Sequence, residues 1–235
     1  MCGRASLTKN EKELENRFGS TFYSEDIERY NPIPNFNIAP GQYFPVITNS
    51  DPSHFNIFKW GLVPYWSKDS KNYFNLINAR SENIDKNKIF QGAFNTRRCL
   101  IPLDGFYEWD KTKKAKQPYR FIKMDREIFS VAGIWESWKD KNGNELFTFS
   151  ILTVKANEIV GKFHDRMPAI LFENEEKIWI DQQIKSEEVK SILKPFPSEL
   201  MYAYPVSRKL NNVKNNSQDL IVESPEDNII EQSIF

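Results

Sequence analysis

A cysteine stands at position 2, directly after the initiator methionine, in Met1-Cys2-Gly3-Arg4. Removal of Met1 leaves a thiol and an α-amine on adjacent carbons. The reference pKa of such an amine is about 8, so part of it is neutral and nucleophilic at neutral pH. A 1,2-aminothiol condenses with an aldehyde to an imine. The thiol then closes on the imine carbon to give a five-membered thiazolidine, a step favoured because it is intramolecular. Two plainer readings stand beside this one. The first is a chance cysteine in a frayed terminus. The second is a lipidation site, which here lacks the signal sequence or polybasic stretch that accompanies one.

Glu108 sits among aromatics in Gly105-Phe106-Tyr107-Glu108-Trp109. Desolvation in such surroundings raises a carboxyl pKa, the tuning a general acid–base needs; an outward-facing Glu on an alternating strand is the ordinary alternative. His164, one of two histidines, lies in His164-Asp165-Arg166-Met167-Pro168. Loop geometry there can aim it into a cleft or hold it as a structural hydrogen-bonding group. His54 reads as a surface residue. Asn78-Ala79-Arg80 offers an amide to orient a reacting group and a guanidinium for phosphate, or marks a helix start. Arg4, Arg80, Arg97, Arg98 and Arg166 are spread along the chain. With Trp60, Trp66 and Trp109 they can line an aromatic, basic groove suited to single-stranded nucleic acid, although each tryptophan alone reads as core. No Gly-rich phosphate loop, paired CxxC or HExxH occurs, and two His and two Cys argue against a metal site.

These groups need a scaffold, and the chain reads as mostly strand. Thr8 to Glu11 has the spacing of a capping box, with Leu14 and Phe18 on one face of a helix that ends near Gly19. Pro32, Pro34, Pro40 and Pro45 predict a stiff, extended loop feeding a strand over Tyr43–Thr48, and a mostly apolar strand spans Phe55 to Trp60. A meander follows, with strands at Arg98–Pro102, Phe106–Trp109, Tyr119–Lys123, Ile128–Trp138 and Leu146–Val154. Asn142-Gly143 suggests a type I′ hairpin between the last two. Lys111–Lys116 reads as a solvated, basic hairpin tip. Asn157–Phe163 and Ser186–Leu193 read as short helices and Met201–Val206 as a strand. The expected class is α+β: a single β-rich domain over residues 1–217, barrel-like, with short peripheral helices, then a polar, mobile tail over 218–235.

Composition narrows the function. The chain has 235 residues, and 32 basic residues balance 32 acidic ones, so net charge does not announce a nucleic-acid partner and any such contact must be local. Aromatics reach 14%, enough for a real core. Mean hydropathy is −0.60 and no apolar run reaches membrane length, which argues against a membrane protein. The start lacks an apolar secretory segment, and two cysteines suit a reducing cytoplasm rather than a disulfide scaffold.

Taken together, Met1-Cys2-Gly3-Arg4, Asn37-Ile38-Ala39-Pro40-Gly41, Trp60-Gly61-Leu62-Val63-Pro64, Asn78-Ala79-Arg80, Arg98-Cys99-Leu100-Ile101-Pro102, Asp104 to Trp109, His164 to Pro168 and Pro205-Val206-Ser207 resemble a known family. In that order they are similar to the SRAP (SOS-response-associated peptidase) domain of YedK-like and HMCES-like proteins. The match runs from residue 2 to about Asn215. The resemblance implies a DNA-damage-response protein that senses abasic sites in single-stranded DNA and cross-links to their open-chain aldehyde. It implies that Cys2 is the nucleophile once Met1 is gone, that Asn78 orients it, that Glu108 is the acid–base and that His164 assists sugar-ring opening. It implies Arg4, Arg80 and Arg166 near DNA phosphates, and Pro40, Trp60 and Trp109 along the strand path. No cofactor or metal is implied, and a monomer is expected, cytoplasmic and nucleoid-associated when bound to damage. The alternatives are a thiol peptidase with Cys2 as nucleophile and His164 as base, and a single-strand binder with no chemistry.

Overall fold

The computed structural model describes residues 2–30, 32–69, 76–112 and 116–224. In chain order the strands are β1 (Ala5–Leu7), β2 (Thr21–Phe22), β3 (Asn35–Ile38), β4 (Tyr43–Thr48), β5 (Asp51–Trp60), β6 (Asn78–Arg80) and β7 (Arg98–Leu103). They continue as β8 (Gly105–Asp110), β9 (Gln117–Lys123), β10 (Phe129–Lys139), β11 (Glu145–Lys155), β12 (Arg166–Pro168), β13 (Ile170–Leu171) and β14 (Met201–Pro205). Strands β11, β10, β7, β4 and β5 pair in succession, and β5 returns to β11 in parallel at Lys59–Thr148 and Trp60–Phe149. That last pairing closes a barrel, so these five strands present no free edge. A second sheet runs β14-β9-β8-β1-β3.

The apolar runs read from the sequence become barrel strands because both of their faces are covered. Trp60 is 1% exposed, stacks on Phe149 at 6.2 Å and donates its indole N–H to Ile77 O at 3.0 Å. Burying such a side chain contributes about 2–3 kcal/mol. Close approach matters at Gly133 on β10, where an added Cβ would meet Cys99 Sγ at 2.9 Å and would press harder still on Ile101.

The helices are α1 (Glu11–Phe18), α2 (Ser24–Tyr30), α3 (Gln91–Thr96), α4 (Glu158–Gly161), α5 (Glu173–Ile180) and α6 (Ser186–Ser191). The capping box falls two residues later than expected: Asn10 Oδ1 accepts from Glu13 N, and Glu13 Oε2 accepts from Asn10 N. Thr8 instead gives its amide and hydroxyl to Asp104, which Arg120 also holds. The helix ends at Gly19 with φ 68°, the left-handed conformation a glycine adopts without strain. The Asn142-Gly143 turn is not type I′. Only Gly143 takes positive φ, and its N–H closes a turn on Asp140 O at 3.1 Å while the Asp140 carboxylate caps Asn142 and Asn144.

The chain does not leave the fold at Gln218. Residues Gln218–Ile221 form a 3-10 turn, and Leu220 is buried with Tyr107, Ile122, Tyr204, Val206 and Leu210 in a small cluster beside the main core. The expected basic loop lies partly outside the described residues, at 113–115, as does the tail from 225 onward.

Candidate active site at the seam of the two sheets

Cys2 precedes β1, which pairs with β8 at Ala5–Phe106; Tyr107 N extends the ladder to Arg4 O at 3.0 Å. This register carries Cys2 toward Glu108. From the barrel side, β6 lies parallel to β11 at Asn78–Ile151. Asn78 is therefore a strand residue, not a helix start, and its Nδ2 donates to Cys2 O at 2.8 Å. The Asn78 Oδ1 is buried without a hydrogen-bond partner among the described residues. One amide thus ties the backbone of the cysteine to the barrel.

Cys2 is fully buried, and burial together with the Glu108 carboxylate pushes its thiol up to about 12. Glu108 is itself buried, and desolvation raises its pKa, with the Asp165 carboxylate adding to the effect and Lys111 opposing it. It is a carboxyl tuned to hold a proton above the usual range, as an acid–base group must. His164 follows α4. Burial, and then the positive charge of Lys111 among its neighbours, lowers its pKa. Its Nδ1 accepts the Arg166 N–H at 3.0 Å, which puts the imidazole proton on Nε2. Asp165 Oδ1 also lies 2.9 Å from Nδ1, a contact that becomes a hydrogen bond only when Nδ1 is protonated. The amide interaction governs the neutral ring. Cys2, Asn78, Glu108 and His164 therefore come from four separate segments, and their interactions converge on one seam.

The expected DNA contacts divide. Arg80 is exposed at the end of β6, and Pro40 is half-buried. Arg4 is buried and donates to Asn37 Oδ1 and Leu210 O, with its guanidinium 5.6 Å from the Trp109 ring. Arg166 is buried, bonded to Glu82 and to the Thr153 carbonyl. Both arginines are already engaged with protein acceptors, so neither is a free phosphate ligand in this conformation. Trp60 is core, which overturns its placement on the strand path. Trp109 is half-buried and gives its indole N–H to Asn211 Oδ1 at 2.7 Å.

A family model described as SOS response associated peptidase (SRAP) matches residues 1–213. The chain belongs to the SRAP family. Among SRAP relatives it is 35% identical over 224 residues to the abasic site processing protein YoqW of Bacillus subtilis, covering 94% of this chain and 99% of that protein. It is 30% identical to the abasic site processing protein YedK of Escherichia coli, covering 94% and 99%. The chicken abasic site processing protein HMCES is also 30% identical, over 94% of this chain and 77% of that one. A crystal structure of a Bacteroides thetaiotaomicron protein superposes with a TM-score of 0.88 at 29% identity, covering 95% of this chain and all of the other.

The family resemblance assigns no role to two features of this SRAP chain, although Trp66 reads from the residues as one of three tryptophans able to line a groove. Lys111, read as part of a solvated tip, lies close enough for its charge to bear on both Glu108 and His164. Tyr65 and Trp66 are the exposed aromatics of the Trp60-to-Ser67 stretch, Trp66 at 49%. The Trp-Gly-Leu-Val-Pro motif contains both the core tryptophan and the turn that lifts its neighbour out; the turn signal at Pro64 was the available clue.

Proposed function

We propose that the protein caps abasic sites in single-stranded DNA covalently, through the aminothiol of Cys2 after Met1 is removed. The observation that carries the reading is the Asn78 amide bound to Cys2 O, on the same residue that buried Glu108 bears on. The relatives' names, abasic site processing proteins, supply the lesion. The amine nitrogen attacks the aldehyde carbon of the open-chain sugar to give a carbinolamine. Glu108, its pKa raised by desolvation, donates a proton as the hydroxyl leaves as water. The Cys2 sulfur then bonds to the imine carbon, and its proton passes to the ring nitrogen. Aldehyde and aminothiol give thiazolidine and one water, and the phosphodiester chain stays intact. His164 presents Nε2–H to the sugar oxygen during ring opening. Arg80 takes a phosphate, and Trp66, rather than Trp60, offers a face for stacking. The site is complete within one chain, in keeping with a monomer, and free thiols at Cys2 and Cys99 suit a reducing cytoplasm.

The peptidase alternative asks for a thiolate. Among the described residues, the charged side chain that bears on the thiol is a carboxylate, which opposes ionisation. The test is a denaturing gel of Met1-processed protein with an oligonucleotide carrying one abasic site. A heat-stable shifted band is expected from wild type and absent from Cys2→Ala and from protein retaining Met1. No band from processed wild type would discard the covalent reading.

A further inference from the structure

The chain turns over residues 64–67 and sets two aromatic side chains outside the core. Ser67 N–H closes the turn on Pro64 O at 2.9 Å, so Tyr65 and Trp66 are its central residues, 66% and 49% exposed. Three side chains of the barrel wall hold the backbone of this stretch at alternate residues. Thr148 Oγ1 accepts the Val63 N–H at 2.9 Å, and Glu136 Oε2 accepts the Tyr65 N–H at 3.2 Å. Trp138 donates its indole N–H to Ser67 O at 2.9 Å. Glu136 on β10 stands opposite Thr148 on β11, and Trp138 follows two residues later, so all three project from one face of the sheet.

Glu136 is the costly member of this clamp. Its side chain is only 4% exposed, and its charge is met by the guanidinium of Arg97, which follows α3. A buried ion pair adds little to stability compared with apolar packing, because both ions give up their hydration. What this pair adds is aim, since the second carboxylate oxygen goes to the amide of Tyr65, one residue before Trp66. A loose turn would have to be ordered when a ligand arrives, at a cost in conformational entropy. A turn clamped at both ends keeps two rings at the surface in advance, and an aromatic ring accepts any base because every base has a π-face.

We infer that Glu136, together with Trp138, is a positioning residue for single-strand recognition, holding the turn so that Tyr65 and Trp66 stack on bases of the bound strand, an assignment that rests on the single-strand reading above. Part of the hold on DNA is then on the bases, independent of the phosphates and of the sequence.

Fluorescence anisotropy at low salt tests it with two labelled probes of equal length. One is an intact single-stranded oligonucleotide; the other is built of tetrahydrofuran spacers, which keep the phosphates and lack the bases. Wild type is expected to bind the base-bearing strand at least ~10-fold more tightly than the spacer strand. Glu136→Ala is expected to lose at least ~5-fold on the base-bearing strand and less than ~2-fold on the spacer strand. Trp138→Phe, which keeps a ring and removes the N–H, is expected to lose about 3-fold with the same selectivity, and it carries the test if Glu136→Ala does not fold. In a chain already carrying Tyr65→Ala and Trp66→Ala, Glu136→Ala is expected to add less than ~2-fold, because it acts through those rings. Equal losses on both probes, no loss on either, or a wild type indifferent to the bases would overturn the assignment while single-strand binding stands. A wild type that binds neither probe would overturn the single-strand reading and the assignment with it.

Discussion

Glu108 is held among aromatics in a place that suits its protonated form, and the consequence for stability can be signed. Its folded pKa lies above the unfolded value, so the stability it permits is full below the ordinary carboxyl range and is lost as pH rises through the folded pKa. Glu108→Gln is therefore expected to melt higher than wild type at about pH 8, with the difference shrinking toward about pH 4, while adduct formation slows. Thermal melts across that range check it. His164 runs the other way. Its folded pKa is depressed, so stability is present above the unfolded imidazole pKa and is lost as pH falls through the folded one. In His164→Gln the loss on acidification from about pH 7 to 5 is expected to be smaller than in wild type. Asn78→Ala removes the amide on Cys2 O and is expected to slow adduct formation roughly 100-fold, with binding of intact single strands little changed. Single-turnover gels against fluorescence anisotropy separate those two effects.

The elements that hold these groups depend on a few side chains with distant partners. Arg98 is buried on β7 and donates to the carbonyls of Phe94 and Asn95 at the end of α3 and of Trp179 and Asp181 at the end of α5. One guanidinium thus caps two helix C-termini and ties both to the barrel. Arg98→Met is expected to cost about 3 kcal/mol in urea unfolding, because several buried carbonyls lose their donor at once. Arg98→Lys recovers little, since an ammonium cannot span that fork of acceptors. The strands were readable from sequence because continuous apolar runs and the prolines that interrupt them are local signals. Helix α5 was not. Its first turn is capped from one side only, by Glu175 reaching back to the Phe172 N–H. Its inward face also includes Glu176, which is buried against Arg17 and Ser130 and breaks the apolar period. The same limit applied at the site. Cys2, Asn78, Glu108 and His164 were legible as residue types, whereas the engagement of Arg4 by Leu210, and of Arg166 by Glu82, depends on partners that no local pattern names.

For the molecule as a whole, zero net charge and two engaged arginines leave Arg80 as the exposed member of the expected phosphate set. Binding to intact single strands is then expected to show a shallow salt dependence, a log–log slope of about −0.7, the contribution of one neutralised phosphate. A titration of anisotropy against salt measures it, and a slope of about −2 would mean that the two buried arginines also turn outward to phosphates on binding. The contact between Arg4 and Leu210 spans 206 residues of sequence. During synthesis Cys2 therefore emerges early, and the segment that pins its strand follows some 206 residues after Arg4. A nascent chain carries the Cys2 thiol long before the contact that pins its strand can form. The pocket proposed for Cys2 is thus pinned only after Leu210 has been made.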